Sequence, residues 1–245
     1  MAILPKGKSK WLLTLHHGNL GDHVPIWIIW VLRLKVDFVL ALNDRHFKWY
    51  SHILAIDRIK LSSPYVPPMP PAPTPEFVIK ISRLIAGFEK IFVCSGYPTA
   101  IYNHLMAIEL MQYRTEDLLI CCLYGNGELI EEIRRKASLF SNVIICESLS
   151  EDDFNYLLST ADLYLRLNSE DSFGIAVADA INLGTTAMAT DVCYRYPGTN
   201  LINVSDSESE LLSKIADIFN SERKKGISEK NIQEFSYSIF RKKLC

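Results

Sequence analysis

The stretch DLYLRLNSEDSFGIAVADAINLGTTAMAT, residues 162–190, sets the architecture. An apolar strand (162–168) runs into a polar loop, an apolar helix (172–183), Gly184 and a second strand (186–190). Strands without polar alternation are buried on both faces, which requires helices above and below a parallel sheet. The same alternation extends toward the N-terminus. Strand 90–95 precedes helix 100–113, strand 117–124, the GNG loop (125–127) and helix 128–140. Strand 142–148 follows, then helix 151–160, with Ser150 as cap and Asp153 at the capping-box position. Toward the C-terminus, NLINV (200–204) reads as a sixth strand and 207–220 as a helix. The expected fold class is α/β, a doubly wound, Rossmann-like parallel sheet that binds ligands at the carboxyl ends of its strands.

Residues 64–75 (PYVPPMPPAPTP) hold seven of the eleven prolines and read as an extended connector. Thr74 and Pro75 then cap and start a helix over 74–88. Before the connector, strands are expected at 11–16, 37–43 and 56–63, and helices at 24–34 and 44–54. Three strands make an uncomfortable independent sheet. The domain expectation is a partial α/β domain (1–63), the connector (64–75), a Rossmann-like domain (76–220) and a helical tail (221–245). Trp27 and Trp30 lie in an apolar run that reads either as core packing or as an interfacial segment.

The chain has 245 residues, enough for one or two domains at about 150 residues each. Apolar residues make up 49% and the net charge is −2, which argues against disorder and against generic nucleic-acid binding. No apolar stretch reaches the length of a membrane span, and the apolar run after Lys10 is too short for a signal peptide. No two of the six cysteines have CxxC spacing and no histidine stands at zinc-ligand spacing from one. Cys94, Cys121, Cys122 and Cys146 read as small hydrophobes in strands, in a reduced, cytoplasmic chain. His46, His52 and His104 are isolated and read as surface or core residues. No GxGxxG fingerprint, Walker lysine or GxSxG elbow is present.

Chemistry concentrates in 168–191. Asp171 precedes a helix whose expected first turn holds Ser172, Phe173 and Gly174, and the exposed amides of such a turn suit sugar hydroxyls or a diphosphate. Asp179 lies two turns on, in an otherwise apolar helix. Taken alone, Asp171 also reads as a simple N-cap and Asp179 as a solvent-facing residue. The spacing carboxylate-x-Phe-Gly-x4-carboxylate-Ala, then Gly184 and a strand, resembles the donor-binding motif of family 4 glycosyltransferases, retaining enzymes of the two-domain GT-B fold. That family normally carries Glu where this chain has Asp171 and Asp179.

The resemblance covers about residues 90–220. It implies that Asp171 touches the donor sugar and Asp179 the ribose. Arg166 matches an arginine that some members carry before the motif. DVCYRYPGTNLI (191–202) resembles the loop that meets the donor, with Arg195, Gly198 and Thr199. CSGYPTAIYNHL (94–105) stands where members carry a Gly-Arg and a Lys that neutralise the diphosphate; it holds Gly96 and Tyr97 but no Arg or Lys, so Arg166 and Arg195 are the expected substitutes. LHHGN (15–19) resembles an acceptor-side histidine motif, matched by His17 or His16.

The catalytic set implied is His17, Asp171 and Arg166, with no metal and no cofactor. The donor-binding set is Gly96, Tyr97, Ser172, Phe173, Gly174, Asp179, Arg195, Gly198 and Thr199. The implied activity is sugar transfer from a UDP- or GDP-linked donor to a saccharide or lipid-linked acceptor, in surface polysaccharide biosynthesis. The resemblance implies an acceptor-side domain shorter than the family's by on the order of 80–100 residues. A degenerate GT-B partner subunit and a nucleotide-sugar epimerase are the competing expectations. A peripheral contact at the inner membrane face, and a partner chain or dimer, are further expectations.

Overall fold

The computed structural model describes residues 10–15, 20, 24–42, 44–61 and 65–221. They form two compact units. One comprises the described residues up to Val66 together with Asp171–Phe173, and the other holds the rest.

The first unit carries a three-stranded parallel sheet ordered β1 (Leu12–Thr14), β2 (Phe38–Ala41), β3 (Ile59–Leu61). Helices α1 (Ile26–Lys35) and α2 (Asp44–Ser51) connect the strands. The expected strand over 56–63 starts with a 3-10 turn at Ile56–Arg58. The Arg58 guanidinium donates to the Leu32 and Val36 carbonyls at the end of α1 and to that of Asp37. It thereby satisfies carbonyls that a helix terminus leaves orphaned. Leu32, Val36, Val39, Ala41 and Tyr50 form the core of this unit. On α1 only Leu32 is fully buried, and Ile26, Trp27, Trp30 and Leu34 are exposed, so the core reading of the two tryptophans fails.

The second unit is a six-stranded, wholly parallel sheet: β4 (Ile91–Gly96), β5 (Leu118–Leu123), β6 (Val143–Glu147), β7 (Leu163–Arg166), β8 (Thr186–Thr190) and β9 (Asn200–Ile202). Their order is β6-β5-β4-β7-β8-β9, the doubly wound arrangement with its reversal between β4 and β7. Alternate residues of each strand feed two cores. Phe92, Cys94, Leu119, Cys121, Leu165 and Met188 pack beneath α4 (His104–Leu110), α5 (Ile130–Ala137) and α8 (Glu208–Asn220). Val93, Ile120, Cys122, Tyr164 and Ala187 pack beneath α3 (Pro75–Ile85), α6 (Glu151–Thr160) and α7 (Ile175–Asn182). The Rossmann-like expectation is met, and among the described residues no helix is long and apolar enough to cross a membrane.

Local differences have local causes. Thr74 caps α3 as expected, accepting from the Phe77 amide. Ser150 caps α6, but the Asp153 carboxylate, expected to close a capping box, accepts instead from the Thr74 amide at 3.0 Å. The expected helix over 100–113 is interrupted because Asn103 is left-handed (φ 50°), leaving α4 between two 3-10 turns. The expected helix over 172–183 starts at Ile175. Gly174 is its N-cap at φ 79°, so Ser172 and Phe173 precede the helix rather than forming its first turn.

Candidate functional site

The reversal between β4 and β7 opens the crevice where sheets of this type bind ligands. Arg166, the last residue of β7, donates from Nη1 to the Ser95 carbonyl of β4 at 3.2 Å. Its guanidinium also lies 5.0 Å from the centre of the Tyr102 ring, a cation–π arrangement. Below it, the buried Tyr164 hydroxyl and Ser95 Oγ share a 2.8 Å hydrogen bond, and burial pushes the Tyr164 phenol up. Gly96 ends β4 against Tyr102, and a Cβ there would run into the ring. Tyr97 stands 6.1 Å from Tyr102, centre to centre, and is exposed. Gly96, Tyr97 and Arg166 are therefore brought together, around a Tyr102 that the sequence reading passed over.

The next strand end is organised by Thr190. Its hydroxyl donates to the Asn168 carbonyl at 2.6 Å, and its own carbonyl accepts from Arg195 Nε at 2.9 Å. Arg195 is buried, with Nη2 3.4 Å from Thr190 Oγ1, so its guanidinium braces the end of β8. Gly198 and Thr199 lie in a turn. The Thr199 amide and hydroxyl both bond the Tyr196 carbonyl, with Pro197 leading and Gly198 at φ 90°, the type II pattern that glycine permits. The loop 168–170 is tied to the 100–103 turn through the Ser169 amide on Ile101 and the Asn103 side chain on the Leu167 carbonyl.

Asp179 is half-buried on α7. Asp171, Ser172 and Phe173 group with the first unit. Asp171 does not cap α7; its carboxylate accepts from the Ser172 amide at 2.9 Å. Phe173 is buried, its ring 5.8 Å from that of Tyr65. Gly174 serves the helix start by its backbone conformation. His16 and His17 lie outside the described residues.

Cys94 and Cys121 lie in strands as expected, but His104, expected to be isolated, joins them in a buried cluster. Cys94 on β4, Cys121 on β5 and His104 at the start of α4 bring two sulfurs and a ring nitrogen together. The signal was available in principle: both cysteines hold the fourth position of neighbouring strands, and His104 follows the loop after β4.

No protein-family model matches the sequence, and no curated protein does. Solved structures do. HepE of Anabaena, in complex with UDP and glucose, superposes with a TM-score of 0.77 at 11% identity, over 96% of this chain and 70% of that one. This is the GT-B glycosyltransferase fold. A glycosyltransferase from Rickettsia africae matches at a TM-score of 0.69 and 16% identity, covering 97% of this chain and 70% of that chain. TarM of S. aureus matches at 0.69 and 15%, covering 96% of this chain and 50% of that chain. At such identities the likeness to GT-B enzymes is one of fold.

Proposed function

We propose that this chain is a nucleotide-sugar-dependent glycosyltransferase that moves a sugar from a UDP- or GDP-linked donor to a saccharide or lipid-linked acceptor. The observation that carries the reading is Arg166, a guanidinium at the carboxyl end of the strand flanking the sheet reversal, in a chain with the GT-B fold. Departure of a nucleoside diphosphate leaves negative charge on phosphate oxygens, and a preorganised cation there lowers the barrier most. In this reading Arg166 faces the diphosphate and takes the place of the basic residues lacking between Cys94 and Leu105. Glycine at 96 lets the backbone approach the phosphates closely. Tyr97 lines the donor.

Asp179 accepts hydrogen bonds from the ribose hydroxyls, and Asp171 from those of the sugar. Ser172, Phe173 and Gly174 present backbone to the donor. Arg195, Gly198 and Thr199 shape the loop beside it; buried against Thr190, Arg195 acts by holding that loop. His17 serves the acceptor side. Transfer proceeds with retention and without a metal. The exposed apolar face of α1, with Arg33 and Lys35 in its last turn, suits an acceptor presented at the inner membrane face, as in surface polysaccharide synthesis.

The lack of Arg and Lys between Cys94 and Leu105 favours a second reading, a GT-B subunit that binds donor without turnover. Calorimetric titration with UDP, GDP and their common sugar conjugates tests both. Specific binding that weakens in Arg166→Met and Asp179→Ala, followed by transfer of labelled sugar, is the expected result. Binding without transfer selects the partner-subunit reading, and conversion of the donor sugar without transfer selects an epimerase. A folded chain that binds none of these ligands at millimolar concentration refutes the donor site.

A further inference from the structure

In the core between the sheet and α4, Cys94 Sγ lies 3.7 Å and Cys121 Sγ 3.5 Å from His104 Nδ1. All three ligand atoms fall within 4.8 Å of one another. Cys94 and Cys121 are register partners on adjacent parallel strands, and their side chains face the same core. Bonds of about 2.3 Å to sulfur and 2.0–2.1 Å to nitrogen place the S and N atoms of one metal about 3.5–3.8 Å apart, for tetrahedral to trigonal angles. Both sulfur–nitrogen distances fall in that range.

The histidine is otherwise hard to account for. It is 2% exposed, its Nδ1 faces sulfur, and its Nε2 has no hydrogen-bond partner among the described residues. Burying an imidazole against weak sulfur partners costs desolvation without the compensating bonds that buried polar groups normally find. The backbone fixes its position nonetheless: left-handed Asn103, anchored to the Leu167 carbonyl at 2.7 Å, starts α4 so that His104 is its first residue. The ring also stacks on Tyr102 with 5° between planes.

We propose that Cys94, Cys121 and His104 form a structural site for a thiophilic d10 cation, zinc(II) or copper(I). Soft thiolates with one imidazole select these ions, and a core buried from solvent favours a neutral complex. Zinc(II) meets that demand when both S–H bonds break, two Zn–S bonds form and two protons leave to solvent, with a water completing the four-coordination that zinc takes. Copper(I) meets it when one thiol loses its proton and the other coordinates as the neutral thiol. The cation ties β4, β5 and α4 together directly beneath the Gly96–Tyr102 contact. This inference is independent of the glycosyltransferase reading, because its readout is metal content rather than activity.

The test uses the full chain, produced in medium supplemented with zinc, copper or cobalt, purified under reducing conditions and washed with chelator. Elemental analysis is expected to find one metal per chain, and it identifies which ion is preferred. The cobalt form is expected to show thiolate-to-cobalt charge transfer in the near ultraviolet. Cys94→Ser and Cys121→Ser lose the metal and the band; Cys122→Ser, whose side chain faces the opposite core, keeps both. Should the first two variants fail to fold, unfolding the parent and refolding it with and without metal decides instead, with a higher melting temperature expected when metal is present. A chain that folds equally stably and stays metal-free after refolding with zinc(II) and with copper(I) overturns the proposal. So does equal metal content in the Cys94→Ser and Cys122→Ser variants, or a Cys94–Cys121 disulfide found by thiol counting in the protein isolated without reductant.

Discussion

A methyl group at residue 96 has no room. The Cβ that Gly96→Ala introduces would lie 2.6 Å from Tyr102 Cγ and nearer still to two further carbons of that ring. The ring cannot swing away cheaply, because it stacks on His104 at 5.9 Å and carries the Arg166 guanidinium at 5.0 Å. Overpacking of this kind costs about 1–3 kcal/mol. For a chain of this size each kcal/mol shifts the melting temperature by about 2–4 °C, so Gly96→Ala should melt about 2–12 °C lower. Tyr102→Ala removes the obstacle and also forfeits the cation–π contact, about 0.5–1 kcal/mol. In the double variant the alanine methyl then has space, so the two changes should couple by about 1–3 kcal/mol in the relieving direction. Urea unfolding of the parent, both single variants and the double variant measures this cycle. An unchanged midpoint in Gly96→Ala, or strict additivity, would refute the steric account of this glycine.

Two further outcomes follow from buried polar groups. The Asn142 side-chain amide shares its two N–H groups among the carbonyls of Met111, Arg114 and Asp117, at 3.2, 3.0 and 3.0 Å, so Asn142→Ala should cost about 1–4 kcal/mol in denaturant titration. The Asp206 carboxyl is held below its ordinary range, chiefly by the hydrogen bond from Lys214. A carboxyl depressed on folding stabilises above its unfolded pKa, about 3.9, and that contribution fades as pH falls through the lower folded value. Melting temperature followed from neutral pH into acid should therefore fall less steeply in Asp206→Asn than in the parent; identical slopes would remove Asp206 from the acid response.

Much of the second unit could be read along the chain because its signals are local. Apolar runs such as LLICCL at 118–123 have nowhere to go but a two-sided parallel sheet, and this one is followed by α5. The Ser207 start of α8 follows the same local logic, with a complete capping box through Glu210. The donor-like segment was harder. Its residue spacing was visible, but the start of α7 depended on Gly174 adopting φ 79°, and that moved Ser172 and Phe173 out of the helix.

Local pattern thus determined most strands and helices of the second unit and the residue types gathered near 168–191, because apolar periodicity and capping act over a few neighbours. The tertiary structure alone decided the strand order, and with it every pairing across the sheet. Arg166 reaches Ser95, 71 positions away, only because β7 lies beside β4. Cys121 meets His104 only because β5 flanks β4 on its other side. Trp27 and Trp30 show the same limit in reverse. Their hydrophobicity is a property of the residues, whereas their exposure follows from α1 turning Leu32 toward the core. Register and burial arise from summed long-range packing, and no window of sequence contains that sum.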